Sequence, residues 1–352
     1  MWKYVLKRMA LALLTTMIII TLSFILMKLL PFSKPLFPNK EANYGYYMSQ
    51  VNDGFCYYKT FSASASPSLF GNYLDYFQDP SNSTKIVVFY QTPVMTQYFR
   101  WLGNIVTKWN WGTSTYILPN NGAIYIIAQK IPYTIKINFF SAIIAIPLGI
   151  ALGILAALKK NTLADHTIST LVMIFISIPS FILITMLMLI FCYKLKVLPT
   201  QWPNDSASTA EKIKGMILPV TCLSFGSICG YCRFTRAELC EVMSSDYLLL
   251  ARTKGLTKRQ AILRHALRNA MVPIVPAILS EVIGLLGGSM ILEQLYGIPG
   301  IGKLYVEALN AKDYNVLLVD MALFTTISLL AGVILDISYG FIDPRIRMGA
   351  KK

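Results

Sequence analysis

The stretch TIKINFFSAIIAIPLGIALGILAALKK, residues 134–160, decides the fold class of this chain. Lys136 and Asn138 mark its ragged beginning, residues 139–158 carry no charge, and Lys159 and Lys160 end it. A helix of about 20 mostly apolar residues is long enough to cross the hydrocarbon core of a bilayer. The stretch therefore predicts a membrane-spanning helix over about 134–158.

Five further stretches have the same character and are bounded by Pro, Gly or charge: about 9–30, 167–193, 216–236, 273–295 and 316–340. The first begins like a signal peptide, but its apolar part is too long and no clean cleavage site follows it. Pro179 is expected to kink the third span. Only 14% of the 352 residues are charged, against about 25% in soluble domains. We predict an all-α integral membrane protein with six transmembrane helices.

The basic residues predict the orientation of these spans. The formal net charge is +15, and clusters of Lys and Arg precede the first span, follow the second, separate the fourth from the fifth and follow the sixth. Six spans place all four clusters on one side, which is cytoplasmic by the positive-inside rule. The N and C termini are then cytoplasmic, although Lys194, Lys196, Lys212 and Lys214 weaken the contrast.

The spans divide the chain into four regions. Residues 1–30 hold the N-terminal end and first span, 31–130 an enlarged first extracytoplasmic region, 131–347 the remaining spans with a cytoplasmic loop over 238–272, and 348–352 a cytoplasmic tail.

The extracytoplasmic region has two parts. The 36–90 insertion is rich in Tyr, Ser and Asn, and its stretch FSASASPS is typical of a flexible loop. A helix is predicted over 92–107, with Thr92 as its N-cap and Pro93 at its first position. Three tryptophans either lie at the membrane–water boundary or pack this helix onto the bundle: Trp101, Trp109 and Trp111.

The stretch ARTKGLTKRQAILRHALRNAMVP, residues 251–273, is strongly basic and contains no acidic residue. Gly255 is a natural C-cap for a short helix, and Thr257 with Gln260 forms a capping-box pattern that starts a second helix. An apolar stripe follows at helical spacing, made of Ile262, Leu263, Ala266, Leu267 and Ala270. The spacing alone also suits a helix lying on anionic headgroups. We call residues 244–270 the elbow.

Many stretches closely resemble, in order, the permease subunits of ATP-binding-cassette importers, above all the B-type permeases of the dipeptide/oligopeptide and nickel branch. They are YLLLARTKGL and RHALRNAMVPIVP around the elbow, and LLP, QYFRWLGN, PLGIALGILAALKK, SIPSF, LLGGSMILEQLYGIPGIGKL, KDY and DPRIR elsewhere. They cover most of 91–347 and the first span. The resemblance implies the type I importer permease fold.

In that family the cytoplasmic loop docks into a groove on the ATPase subunit. The resemblance carries this coupling role onto residues of the elbow: Ala251, Arg252, Lys254, Gly255, Leu256, Thr257, Arg259, His265 and Arg268. The wider importer motif begins Glu-Ala-Ala where this chain has Leu249, Leu250 and Ala251, which puts an acidic contact in doubt. The 36–90 insertion is longer than in typical members, so the resemblance assigns it no role.

Intramembrane acids and turn residues are the candidates for the transport pathway or its outer mouth: Glu281, Glu293, Gly297, Pro299, Gly300, Gly302, Asp320 and Asp336. A charge in lipid is costly, so each acid is expected to pair with a neighbouring helix or to face a watery route. The stretch GIPGIGKL has the spacing of a phosphate-binding loop, but Leu304 stands where that loop needs Ser or Thr.

No catalytic, metal or cofactor site is predicted. Cys229 and Cys232 have redox-motif spacing but lie in an apolar stretch, where they suit helix packing. His166 and His265 have no Cys or carboxylate partners at ligand spacing. By resemblance, ATP binds partner subunits.

We predict a multi-pass cell-membrane permease subunit that forms half of a peptide pathway. Its implied partners are a second homologous permease, two ATPase subunits, an extracytoplasmic peptide-binding protein and the lipid bilayer, without nucleic acid. One alternative is the same architecture carrying nickel chelates, glutathione or another small solute. Another is a membrane-anchored nucleic-acid- or lipid-binding protein that uses the basic stretch.

Overall fold

The computed structural model describes residues 2–29, 37 and 39–342. Pro31 of the LLP stretch, the DPRIR stretch and the basic residues of the tail lie outside the described residues. The elements are α1 (Trp2–Leu29), α2 (Lys40–Asn52), β1 (Cys56–Ser62), β2 (Asp75–Asp79), β3 (Asn82–Gln91), α3 (Val94–Lys108), α4 (Ala123–Leu158), α5 (Leu163–Ser177), α6 (Ser180–Leu187), α7 (Thr209–Met243), α8 (Asp246–Thr253), α9 (Lys258–Ala261), α10 (Leu267–Gly284), α11 (Met290–Tyr296), α12 (Ile301–Ala311) and α13 (Tyr314–Ile342).

The part of the chain that the structure describes contains five helices long and apolar enough to cross a membrane, or six spans if one bent pair counts as a span. The bent pair is α5 with α6 and its π-helical continuation to Lys194, and its axes meet at 99°. Pro179 is the N-cap of α6. The predicted kink is therefore confirmed, and it is large enough to divide the helix in two.

The fifth span differs from its prediction over 273–295. The helix runs unbroken from Lys258 through Pro273 and ends at Gly284, and α11 is a separate helix. Gly287 and Gly288 explain the break, because glycine costs more than other residues, proline excepted, to hold in a helix. A hydropathy window cannot detect it, since the broken segment is still apolar.

Two compact units make up the chain. The first comprises residues 1–12, 130–304 and 326–352, and the second comprises 13–129 and 305–325. In the first unit α4 packs closely on α7 at two glycines. A Cβ on Gly149 would lie 2.7 Å from Tyr231 Cβ, and one on Gly153 would lie 2.7 Å from the Cys232 oxygen. Close approach of the two helices explains the glycine at both positions, whereas Gly226, Gly230 and Gly284 have open space around them.

The described residues of the 36–90 insertion form an α/β structure in the second unit, so the all-α prediction is wrong here, whereas residues 63–66 of FSASASPS form a loop after β1. Its antiparallel sheet has strand order β1-β3-β2, and α2 packs on it through an aromatic and aliphatic core of Tyr46, Tyr47, Val87 and Phe89. The run IVVFY in β3 is rich in β-branched and aromatic residues, which favour strands. Pro67–Phe70 of the supposed loop form a short 3-10 helix.

Helix α3 begins two residues later than predicted. Pro93 is its N-cap, and no side chain caps it, so the assignment of Thr92 as a cap is wrong. The Thr92 carbonyl instead accepts a hydrogen bond from Gln97 Nε2 at 2.6 Å. Trp101 is 1% exposed and its ring lies 4.8 Å from that of Phe24, which supports the packing alternative for this tryptophan.

Candidate functional site

The elbow has the bend that its sequence predicts. Helix α8 ends at Thr253, and Gly255 has a φ of +92°, a conformation that side chains other than glycine rarely adopt. Thr257 Oγ1 accepts a hydrogen bond from the Gln260 amide at 3.3 Å, and Gln260 Oε1 accepts one from the Thr257 amide at 3.1 Å. The capping box is confirmed, and it fixes the direction in which α9 leaves the turn.

One side of the elbow packs on its own unit. Leu248, Ala261, Ile262, Ala266 and Ala270 form a buried cluster with residues of α4 and α7, and Leu256 packs partly against it. Leu263 is 56% exposed, so its place in the predicted stripe is wrong. Residues 262–266 are π-helical, and the extra residue in this turn moves Leu263 out of the buried row.

The opposite side of the elbow is exposed, basic and partly apolar. Leu249 and Leu250 are 63% and 56% exposed. The exposed side chains of the elbow also include the basic residues Arg252, Lys254, Lys258, Arg259, Arg264, His265 and Arg268. A cavity of about 360 Å³ opens between α8 and α9, with Leu249, Arg252 and Lys258 in its wall. Sequence reasoning identified Leu249 and Leu250 only as departures from the importer motif. Two adjacent leucines in a short polar helix are nevertheless a signal of an exposed contact surface.

A second candidate site is a cavity of about 660 Å³ in the first unit, between α4, α7, α10, the 285–289 break and α13. Glu281 lines it and accepts a hydrogen bond from Ser227 Oγ at 2.8 Å. Asn138 also lines it, and its amide donates to the carbonyls of Leu285 and Gly287. These bonds hold the broken end of α10 against α4.

Only one of the four predicted pathway acids faces this cavity. Glu293 is 3% exposed and lies outside the cavity wall, and Asp336 forms an ion pair with Arg8 at 3.2 Å. Asp320 is fully buried in the second unit. The structure therefore places Asp336 in a structural pairing and leaves Glu281 as the cavity carboxylate.

Glu293 organises the glycine-rich turn after α11. Its carboxylate accepts hydrogen bonds from Thr134 Oγ1 at 3.0 Å and from the Lys303 amide at 3.0 Å. Burial raises the pKa of Glu293, and these hydrogen bonds oppose the shift. A Cβ on Gly300 would overlap the carboxylate. The amide that a phosphate-binding loop would offer to phosphate is thus already bound.

The other predicted residues of this turn, namely Gly297, Pro299, Gly300 and Gly302, shape its backbone. Gly297 has a φ of +73° and caps α11, whereas Pro299 is half-buried and Gly300 and Gly302 are buried. A Cβ on Gly302 would lie 2.8 Å from the Met290 nitrogen. Close backbone approach explains the glycine at this position.

Sequence reasoning missed two buried aspartates. Asp165 accepts two hydrogen bonds from Arg236. Asp313 of the KDY stretch accepts from Ser114 Oγ and from the backbone amides of three residues, Thr115, Tyr116 and Ile117. Arg236 lies 71 positions from Asp165, and Ile117 lies 196 positions from Asp313, so no spacing rule connects these partners.

The remaining candidates are the possible metal ligands, the two cysteines with redox-motif spacing and the two histidines. Within the described residues no group of three or more His, Cys, Asp and Glu side chains is placed to hold a metal ion. Cys229 and Cys232 are free and buried, as predicted for packing residues. His166 and His265 are exposed.

Comparison with known proteins gives a consistent result. Residues 149–348 match the model of the family described as binding-protein-dependent transport system inner membrane component. The chain is 32% identical over 348 residues to the dipeptide transport system permease protein DppB of Lactococcus lactis subsp. cremoris (strain MG1363), covering 99% of this chain and 100% of that protein. It is 35% identical over 255 residues to the oligopeptide transport system permease protein OppB of Escherichia coli (strain K12), covering 72% of this chain and 81% of that protein.

Proposed function

Because this chain belongs to the family of binding-protein-dependent transport system inner membrane components, we propose that it is the permease subunit of an ATP-binding-cassette importer for dipeptides or oligopeptides. The observation that carries the proposal is the match to a dipeptide permease over 99% of the chain. The family consists of transport permeases, and the chain is a multi-pass membrane protein with several spanning helices.

The architecture that we propose has six spans in the type I importer fold, with the bent pair of α5 and α6 as the third. In this proposed architecture the N terminus, the elbow and the C terminus lie in the cytoplasm and the 36–90 insertion lies outside, which is the orientation that the positive-inside rule predicts. The structured sheet of the insertion then faces the side from which a peptide-binding protein approaches. A contact between the two is part of this proposal.

The elbow is the part that couples the spans to ATP hydrolysis on separate subunits. Helices α8 and α9 are short and meet at a fixed bend, and the second runs without interruption into the span that ends at Gly284. A push on the elbow is thus transmitted along one continuous helix to the wall of the 660 Å³ cavity. Leu249 and Leu250 supply the apolar contact, and the basic rim finds acidic or polar groups on the ATPase.

In the proposed assembly this chain forms half of the pathway beside a second, homologous permease. Two ATPase subunits bind ATP, so the permease itself needs no cofactor. A binding protein outside the membrane delivers the peptide, and the spans alternate between outward and inward access.

Co-purification tests this assembly. The affinity-tagged chain, extracted from membranes that express the neighbouring transporter genes, is expected to bring down two ATPase subunits and one second permease. Replacing Leu249→Asp and Leu250→Asp together should release the ATPase subunits but keep the second permease. Leu69→Asp is the control, because Leu69 is also an exposed leucine, at 70%, but lies in the insertion. Recovery of the chain without any ATPase subunit in the unmodified complex would refute the proposal.

A further inference from the structure

The wall of the 660 Å³ cavity in the first unit contains an acidic side chain but, among the described residues, no basic one. Glu281 is the single ionisable carboxylate in its wall, and none of the described residues that line it is Lys, Arg or His. Most of the remaining wall is apolar or glycine. The cavity therefore holds one carboxyl group and no basic side chain among its described lining residues, in a size range typical of sites for small ligands.

Two polar side chains of the wall use their hydrogen-bond donors on the protein itself, whereas the serine hydroxyls of the wall can both donate and accept. Asn138 uses its amide N–H groups on two backbone carbonyls, at 3.0 and 2.8 Å, so its side-chain oxygen is what remains to bind a solute. Tyr231 donates its hydroxyl proton to the Ala277 carbonyl at 3.1 Å. A solute that donates hydrogen bonds fits such a wall, and an anion does not.

The backbone adds to the negative potential. The helix that begins at Lys258 ends at Gly284, which lines the cavity one turn after Glu281. The carboxyl end of a helix carries partial negative charge, and broken membrane helices commonly direct such ends at their cargo. Ser227 donates to one oxygen of Glu281 and fixes the orientation of the carboxylate.

We propose that Glu281 and the carboxyl end of α10 form a recognition point for a protonated amine in the transported solute. The inference rests on the proposed peptide transport and names the group that the pathway itself selects. In a peptide the amine comes from the N terminus or from a lysine side chain. Both have three N–H donors and a positive charge, and both suit a carboxylate among neutral acceptors.

Uptake into proteoliposomes that contain the complete transporter and its binding protein tests the proposal. Three substrates separate the two sources of amine: trialanine, N-acetylated trialanine, and N-acetylated Ala-Lys-Ala. The affinity of the binding protein for each peptide is measured first, and uptake is compared at full occupancy, so that selection by the delivery step is removed from the comparison.

We expect the unmodified transporter to prefer trialanine over its acetylated form by about tenfold, the usual scale of one charge-assisted hydrogen bond. Glu281→Gln should reduce that ratio to near one, whereas Glu241→Gln, which changes an exposed glutamate of α7 outside the cavity, should keep it. Rapid uptake of N-acetylated Ala-Lys-Ala would show that a lysine side chain satisfies the site, and slow uptake would assign the site to the N terminus.

A second pair of variants guards against a folding defect. Glu281→Asp and Glu281→Asn have equal size and differ in charge, and only the first should retain the preference. An unchanged ratio in Glu281→Gln or in Glu281→Asn would overturn the inference and leave peptide transport intact. Absence of ATP-dependent uptake of all three peptides by the unmodified transporter would instead refute the proposed function.

Discussion

The guanidinium of Arg236 on α7 donates two hydrogen bonds to the carboxylate of Asp165 on α5, at 2.6 Å from Nε and 2.8 Å from Nη2. The Asp165 side chain is 1% exposed, and that of Arg236 is 32% exposed. The Asp165 carboxylate also accepts a hydrogen bond from the Asn161 backbone amide at 3.0 Å, which ties the turn before α5 to the same ion pair. The pair thus joins two spans and a connecting turn.

Breaking this ion pair on one side should destabilise the first unit. Arg236→Met leaves the buried Asp165 carboxylate without its cation, and we expect the free energy of unfolding to fall by about 3 kcal/mol. Thermal unfolding of the purified protein in detergent measures the effect. Arg236→Met combined with Asp165→Leu should recover most of the loss, because no buried charge remains. A double variant as unstable as the single one would contradict the interpretation.

Gly255→Asp should uncouple the elbow. Space around Gly255 is open, so the penalty comes from its φ of +92°, where a side chain costs about 1–2 kcal/mol. We expect ATP hydrolysis stimulated by the loaded binding protein to fall to the basal rate while the amount inserted in the membrane is unchanged. Gly71→Asp is the matched control, since Gly71 has a φ of +68°, open surroundings and a place in the insertion. Full stimulation of ATP hydrolysis in Gly255→Asp would contradict the coupling role assigned to the bend.

The contact of α4 with α7 should not tolerate a methyl group. Gly149→Ala places a Cβ 2.8 Å from the Ile228 oxygen, so the helices must separate, at a cost of about 1–3 kcal/mol. Gly226→Ala on α7 meets nothing within 4 Å and should leave the melting temperature equal or higher. The comparison of the two melting temperatures measures this directly, and equal values would contradict the packing argument.

Glu293 should make stability depend on pH. Burial raises its folded-state pKa above the ordinary value of 4.5, so folding favours the protonated carboxyl. Its contribution is present at low pH and is lost as the pH rises through the folded-state pKa. Glu293→Gln cannot ionise, so its stability relative to the unmodified protein should increase as the pH rises from 4.5 through the folded-state pKa of Glu293. Melting temperatures across this range test the slope, and Glu41→Gln, at an exposed position, should leave it unchanged.

The local features of the elbow could be predicted because they depend on neighbours in sequence. A capping box needs only Thr257 and Gln260, and a left-handed turn needs only Gly255, so both followed from residue type and spacing. The role of Leu263 could not be predicted, because a π-helical turn changes which residues share a face. Helical spacing assumes a regular helix, and this helix departs from it.

The 36–90 insertion shows where prediction from local sequence fails. The loop that FSASASPS predicts is limited to residues 63–66, and most of the insertion instead belongs to α2 and to the sheet around β3. Strand pairing joins Cys56 to Gln91 across the whole insertion, and that partner is invisible in a local window. The sheet is stable because Phe89 and Tyr47 stack on each other, with ring centroids 5.1 Å apart.

The sequence by itself determined that the chain is a multi-pass membrane protein, where most spans lie, and how the elbow bends. These depend on stretches of apolar residues and on contacts within a few positions. Only the tertiary structure decided that α10 ends at Gly284, that Glu281 alone among the predicted acids faces the cavity, and that Asp165 binds Arg236. The cavity wall and the ion pair depend on residues distant in sequence that come together only when the helices pack, and linear spacing does not specify such partners.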